Sequence, residues 1–410
     1  MTSWRENRWI GGLLSVGLFL LLGFSLFPAG GIDDAHITYW PAHTLACRGE
    51  IVNYNGEAVE QSSSLLLVCL LALLHVLTSL PVPELGWWVG IGSGALCVLA
   101  TRALWRPHSP GAATTAAVLL VLSYPFVYWS FSGMETSLAA LAGTLLVLAL
   151  SGYLRHGHSG PRLLALLATL AAYVTARPEG MLVAGCVIAG AVVLLRTRRL
   201  NASMVLHLVL VFTATAAALI GWRLYSFGVW MPRPVMAKSA GLSAAALRQG
   251  LGYLREQPAV TAFVLLGTAN AMRCIWRATR GGDLAPAVCG LFLIAQVSFV
   301  VLCGGDWMEG GRFLAPALPF AAVLVVDLAG VCGPRLARPI YVLVAAAVTA
   351  STLAFAQHES RSLTAWASPQ KSYRRAAVRP VVLGKAQQGP LARHAGDRSA
   401  RPDPPGSASR

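Results

Sequence analysis

Eleven apolar runs, most of them 17 to 20 residues long, interrupt this chain at about 9 to 27, 86 to 104, 112 to 131, 137 to 153, 163 to 176, 179 to 195, 204 to 221, 259 to 275, 284 to 302, 313 to 331 and 339 to 356. A run of about 20 apolar residues is what an α-helix needs to cross the roughly 30 Å hydrocarbon layer of a bilayer. In lipid every backbone N–H and C=O must find a partner within the protein, so such runs fold as helices. Only 12% of the 410 residues are charged and 56% are apolar, against about 25% charged in soluble domains. An all-α polytopic membrane protein is therefore expected, and a water-soluble fold is excluded. The first run follows Arg5 and Arg8. It is longer than the h-region of a cleavable signal peptide and no A-x-A site follows, so it reads as an uncleaved first helix.

Charge assigns the sides. If Leu65 to Leu80 crossed the bilayer, Arg102/Arg106, Arg155/Arg162, Arg196/Arg198/Arg199, Arg273/Arg277/Arg280 and Arg335/Arg338 would all lie outside, against the positive-inside rule. Residues 62 to 85 are thus expected to hold an interfacial or re-entrant helix within a first outer loop, 28 to 85. The N-terminus is then cytoplasmic and the C-terminus extracytoplasmic. Leu242 to Arg255 sets Leu247, Leu251 and Leu254 on one face, as an interfacial helix would. Residues 357 to 410 are polar, basic and Pro-rich and read as a disordered tail, leaving 1 to 356 as the transmembrane domain. The net charge of +15 comes from basic loops and this tail, so no nucleic-acid partner is expected. The eight cysteines show no paired spacing and mostly sit inside apolar runs, as small buried hydrophobes do.

This topology collects the unusual polar residues on the outer side. Asp33 and Asp34 follow the first span; adjacent carboxylates suit a helix N-cap, or a general base that titrates as a pair. Glu60 lies later in the same loop. Glu135 sits in Ser-Gly-Met-Glu-Thr-Ser, between two spans with almost no loop, where an acid is costly without a partner. Arg177 and Glu179 flank Pro178 at a helical hairpin, forming either an internal ion pair or a binding site for phosphate or sugar. Gly304 to Phe313 combines paired glycines, Asp306, Trp307 and Arg312: backbone that admits a ligand closely, a flat ring for a sugar, and a guanidinium for a phosphate. Lys238 is one of three lysines and the sole one before the tail, a point charge for phosphate or a residue of interfacial water. His36 and His43 lie near Asp33 and Asp34, but without metal-ligand spacing, so no metal ligand is assigned and the need for a divalent cation stays open.

The order Asp-Asp-Ala-x-Ile-Thr-Tyr, Asn-x-x-Gly-Glu-x-Val-Glu-x-x-x-Ser, Ser-Gly-Met-Glu-Thr-Ser-Leu, Arg-Pro-Glu-Gly and Gly-Gly-Asp-Trp-Met-x-Gly-Gly-Arg-Phe resembles bacterial polytopic glycosyltransferases of the GT-C fold. The branch it looks most like is the arabinofuranosyltransferases that use polyprenyl-phosphate arabinose. The resemblance implies a GT-C-like bundle of about 11 transmembrane helices in the bacterial cytoplasmic membrane. It implies an inverting glycosyltransferase moving a sugar, arabinofuranose in that branch, from a polyprenyl-phosphate donor to a cell-envelope glycan or glycolipid at the outer face. Asp33 or Asp34 would be the base. Arg312, Lys238 and Arg177 would hold the donor phosphate, and Glu60, Glu135, Glu179, Asp306 and Trp307 the sugar or acceptor. The alternatives are a transporter or flippase of lipid-linked sugars, for which inverted repeats and charged midplane helices would speak, and an inactive membrane scaffold.

Overall fold

Serine and aspartate caps punctuate the apolar runs. Ser64, Ser109, Ser243 and Asp283 each accept a hydrogen bond from the first turn of the helix they open, satisfying donors that a helix start leaves unpaired. Gly49, in the left-handed region at φ 73°, closes another. The resulting computed structural model describes residues 3–27, 32–105, 109–157, 159–197, 202–238 and 243–367. Its helices are α1 (Ser3–Leu26), α2 (His36–Arg48), α3 (Leu65–Thr78), α4 (Val82–Trp105), α5 (Pro110–Val121), α6 (Tyr124–Ser130), α7 (Thr136–His156), α8 (Gly160–Ala176), α9 (Gly180–Thr197), α10 (Ala202–Phe227), α11 (Arg233–Lys238), α12 (Ala244–Arg255), α13 (Pro258–Thr279), α14 (Leu284–Leu302), α15 (Leu318–Val331) and α16 (Pro334–Ala367). Short 3-10 turns, Asp33–Ala35 and Ala315–Ala317, precede α2 and α15. No strand occurs among the described residues.

The chain divides into two compact units, Met1–Ala356 and Gln357–Arg410. In the second, residues 357–367 are helical, and the rest of the expected disordered tail lies outside the described residues. In the first, α13 packs on α14 and α15, and α7 on α4 and α8. Leu318 to Val326 of α15 are all buried, making it a central helix. α1 and α10 turn much of their apolar surface outward, including Leu13, Leu14, Leu206 and Leu210, as helices facing lipid do.

The described helices do not confirm the expected count of about eleven spans. Eight described helices are long and apolar enough to cross a membrane, and α5 with α6 makes a ninth as a pair bent by 69°. The bend falls at Ser123, which is extended (ψ 109°), with Pro125 in the first turn of α6; proline has no N–H to continue the α5 ladder. α8 is cut to 17 residues by Pro161 and Pro178. The run at 313 to 331 becomes helical only from residue 315, because Leu314 and Ala315 fold back onto Gly311. α3, with 14 residues, reaches about 21 Å at 1.5 Å per residue and lies against α2.

Candidate active site

The site is built on the joint between α6 and α7. Ser132 Oγ donates to Trp129 O (2.8 Å) and accepts from Met134 N–H (3.1 Å), tying the turn to itself, and Gly133 takes φ 75°. Three other segments dock on this turn. From the first loop, Ile32 N–H donates to Ser132 O at 3.0 Å and the Tyr39 hydroxyl to Gly133 O at 2.9 Å. From the hairpin between α8 and α9, Arg177 Nη1 donates to Glu135 at 2.9 Å. From the loop after α14, Arg312 Nη1 lies 3.9 Å from Met134 Sδ, and Trp129 Nε1 donates to Gly310 O at 2.7 Å. The segments that carry Asp33/Asp34, Glu135, Arg177/Glu179 and Asp306/Arg312 therefore meet at one end of the bundle. Arg155, paired with Asp283 at 2.6 Å, marks the far end of α7, about 30 Å away by helix rise.

Inside the site the charges pair. Arg177 bridges Glu135 and Glu179. Arg312 grips Asp306 with Nε and Nη2 at 2.6 and 3.0 Å. The two guanidiniums lie 5.0 and 5.4 Å from the Phe313 ring centroid, an arrangement that adds cation–π attraction to each. Burial works against the Arg177 charge, but the Glu179 and Glu135 carboxylates outweigh it and hold its pKa above the usual arginine value. Burial first, and the Glu135 carboxylate second, push the Tyr39 phenol up to about 12, so it stays a donor to Gly133 O. Tyr253, whose hydroxyl accepts from Phe313 N–H, is raised by burial and then by Asp306.

Asp33 and Asp34 differ from these acids. Asp33 is exposed and Asp34 half-buried; the Asp33 carboxylate accepts from the Asp34 N–H at 2.9 Å. Neither has a cationic partner among the described residues. Glu60 pairs with a residue that the sequence reading missed, Arg223 of α10, which binds it through Nε and Nη2 at 2.8 and 3.1 Å. Burial raises the Glu60 pKa despite this partner. Arg223 lies just beyond the expected span at 204 to 221; an arginine ending an apolar helix is the signal that was available. Trp307 is 69% exposed. Lys238 closes α11, but its side chain lies outside the described residues. His36 stacks edge-on against Tyr39 and His43 lies near His75. Thr136 Oγ1 and Gln257 Oε1, also missed, are buried polar atoms without a hydrogen-bond partner among the described residues.

An apolar cavity of about 660 Å³ opens between α2, α3, α8 and α10. Its lining includes Leu45, Cys69, Leu167, Thr175, Leu219 and Trp222; Trp222 adjoins Arg223 in sequence, and Thr175 lies two residues before Arg177.

No protein-family model and no curated protein matches the chain. Solved structures do. The archaeal oligosaccharyltransferase AglB from Archaeoglobus fulgidus, in complex with an inhibitory peptide and a dolichol-phosphate, superposes with a TM-score of 0.57 at 14% identity over 87% of this chain and 56% of that one. ArnT from Cupriavidus metallidurans bound to undecaprenyl phosphate gives 0.54 at 16% identity, over 81% of this chain and 62% of its own. This chain thus spans less than two thirds of the length of either. At these identities the likeness is one of architecture, and the architecture is the polytopic, all-helical GT-C fold.

Proposed function

We propose that the protein is a membrane glycosyltransferase that moves a sugar from a polyprenyl-phosphate donor to a cell-envelope glycan or glycolipid. The reaction takes place at the outer face of the bacterial cytoplasmic membrane, with arabinofuranose the sugar that the sequence motifs suggest. The observation that carries this reading is the contrast within one site. Asp33 and Asp34 have no cationic partner among the described residues, while the acids beside them, Glu135, Glu179 and Asp306, are locked to Arg177 and Arg312. A carboxylate already held by a guanidinium is a poor base; the pair at 33 and 34 keeps its lone pairs for an acceptor hydroxyl.

The chemistry then needs few parts. The Asp33/Asp34 pair takes the hydroxyl proton as the acceptor oxygen bonds to the anomeric carbon. The bond from that carbon to the phosphate breaks on the opposite side, and the lipid phosphate leaves with the electron pair, so configuration inverts. Among the described residues Arg312 Nη1 has only a thioether contact, at 3.9 Å, which leaves donors for a phosphate oxygen in a charge-assisted bond; Arg177 and Lys238 are further phosphate contacts. Trp307 offers its exposed ring to the sugar. Glu60, Glu135, Glu179 and Asp306 present their remaining lone pairs to sugar or acceptor hydroxyls, and the cavity between α3, α8 and α10 accommodates apolar lipid.

The test is transfer of labelled sugar from polyprenyl-phosphate donor in membranes carrying Asp33→Asn or Asp34→Asn. General-base catalysis contributes about 10²–10⁴-fold, so at least one variant should lose that much while reaching the membrane in normal amount. Full activity in both would remove the base assignment. Lipid movement across vesicles without any new glycosidic bond would favour a transporter instead.

A further inference from the structure

On the outer surface of the first loop, α2 and α3 bring together three side chains with the chemistry of metal ligands. His43 and Cys47 stand four residues apart on α2, a spacing that sets two side chains on one helical face. His75 comes from the neighbouring α3. Cys47 Sγ lies 3.7 Å from His43 Nδ1 and 3.8 Å from Nε2, and the two imidazole rings are 5.6 Å apart. One ligand atom from each residue falls within 4.8 Å of the other two. Around a tetrahedral zinc ion, bonds of about 2.0–2.1 Å to nitrogen and about 2.3 Å to sulfur place those atoms roughly 3.6 Å apart. His43 and Cys47 already have that separation, and His75 completes it by moving on the order of 1 Å.

His75 is prepared for the role. Its Nδ1 lies 2.7 Å from Leu80 O. A carbonyl oxygen only accepts, so Nδ1 carries the proton and Nε2 keeps the lone pair. Support of one ring nitrogen by a backbone carbonyl, leaving the other free, is the outer-shell arrangement of metal-bound imidazoles. The Leu80 carbonyl is itself positioned by the turn at Ser79 (φ 58°), where Leu80 N–H donates to Thr78 Oγ1 at 3.3 Å.

We propose that His43, Cys47 and His75 bind one zinc-class divalent ion, with water in the fourth position. A thiolate with two imidazoles selects such an ion over magnesium or calcium, which take oxygen ligands. On binding, the Cys47 thiol gives its proton to solvent, and both imidazoles coordinate through lone pairs without losing a proton. The ion joins α2 to α3, and α2 carries Tyr39 onto Gly133, so the clamp holds the first loop against the joint at residues 132–135. It does so whatever reaction the joint serves.

The experiment uses tag-free, full-length protein in detergent, stripped by chelator and given zinc alone. One equivalent should survive desalting. Zinc should slow maleimide labelling of Cys47 at least tenfold, read by peptide mass spectrometry, and leave Cys303 unchanged. Cys47→Ser and His75→Ala should each lose the equivalent and His36→Ala should keep it. Because Cys47 is exposed, its serine variant keeps the fold, which elution volume checks. Cobalt should give a thiolate charge-transfer band in the wild type and none in Cys47→Ser. The proposal is overturned by wild-type protein that retains no zinc, by Cys47→Ser or His75→Ala retaining as much zinc as the wild type, or by equal slowing at every exposed cysteine.

Discussion

Replacing Arg223 by methionine should strand a carboxylate. Glu60 is 2% exposed and Arg223 4%, and their two hydrogen bonds form a bidentate pair between the first loop and α10. Removing one member of a buried pair costs about 3–5 kcal/mol, because the other charge stays buried without compensation, whereas neutral replacement of both is often without cost. Arg223→Met and Glu60→Gln alone should each lower the folding equilibrium by roughly two to four decades at about 1.4 kcal/mol per tenfold. The double variant should fall within about 1 kcal/mol of the parent. Acidity supplies a second test. Burial raises the Glu60 pKa above its ordinary 4.5, more than Arg223 lowers it. A carboxyl that binds its proton more tightly when folded contributes most below its unfolded value, and the contribution fades as pH climbs through the raised one. Without Arg223 that rise grows, so the Arg223→Met deficit should shrink toward pH 5 and widen toward pH 8. Reversible unfolding in mixed micelles, followed by fluorescence of the adjacent Trp222, measures all four proteins. Additive single losses, or an Arg223→Met loss below about 1 kcal/mol, would refute the reasoning.

Two further predictions concern the frame of the site. Gly311 sits at φ 70° and an added Cβ would collide with Gln257 Oε1, whereas Gly49, at φ 73°, has open space around it. Both alanine variants should lose the left-handed penalty of roughly 1–2 kcal/mol, and Gly311→Ala should lose measurably more in thermal unfolding; equal losses would remove the close approach from the argument. Tyr39→Phe should cost about 1 kcal/mol at neutral pH for the lost bond to Gly133 O. Since the folded phenol sits at about 12 against an ordinary 10, the wild-type advantage should be complete below pH 10 and vanish as pH rises through about 12, measured by unfolding both proteins across that range.

The helical bundle was legible because hydropathy reports burial in lipid directly: every apolar run marked in the sequence contains a helix. Where a run breaks was less legible. Pro125 inside 112–131 was visible, but whether proline kinks a span or ends it depends on what its neighbours offer the freed backbone. The gathering of Glu135, Arg177, Glu179, Asp306 and Arg312 followed from their positions between spans, since alternate crossings return to the same side. The Arg177–Glu179 pair was one of the two readings the hairpin offered; that Arg177 also meets Glu135 was not legible, because which carboxylate meets which guanidinium across helices is fixed by helix rotation. The same reason hid Arg223. It also hid the third member of the His43–Cys47 set: the four-residue spacing is local, whereas His75 arrives through packing of α2 on α3.

At the break after α5, Leu122 O accepts from the hydroxyl of Thr352, a residue of α16, at 2.6 Å, sharing that proton with Val348 O at 2.9 Å. A carbonyl facing hydrocarbon without a partner costs several kcal/mol, so this bond makes the order of synthesis matter. The kink is laid down early by the ribosome, yet its oxygen waits some two hundred residues for the group that quenches it. A nascent chain halted before α16 should hold α5 and α6 only loosely seated and open to quality-control proteases, with arrival of α16 serving as the latch on assembly.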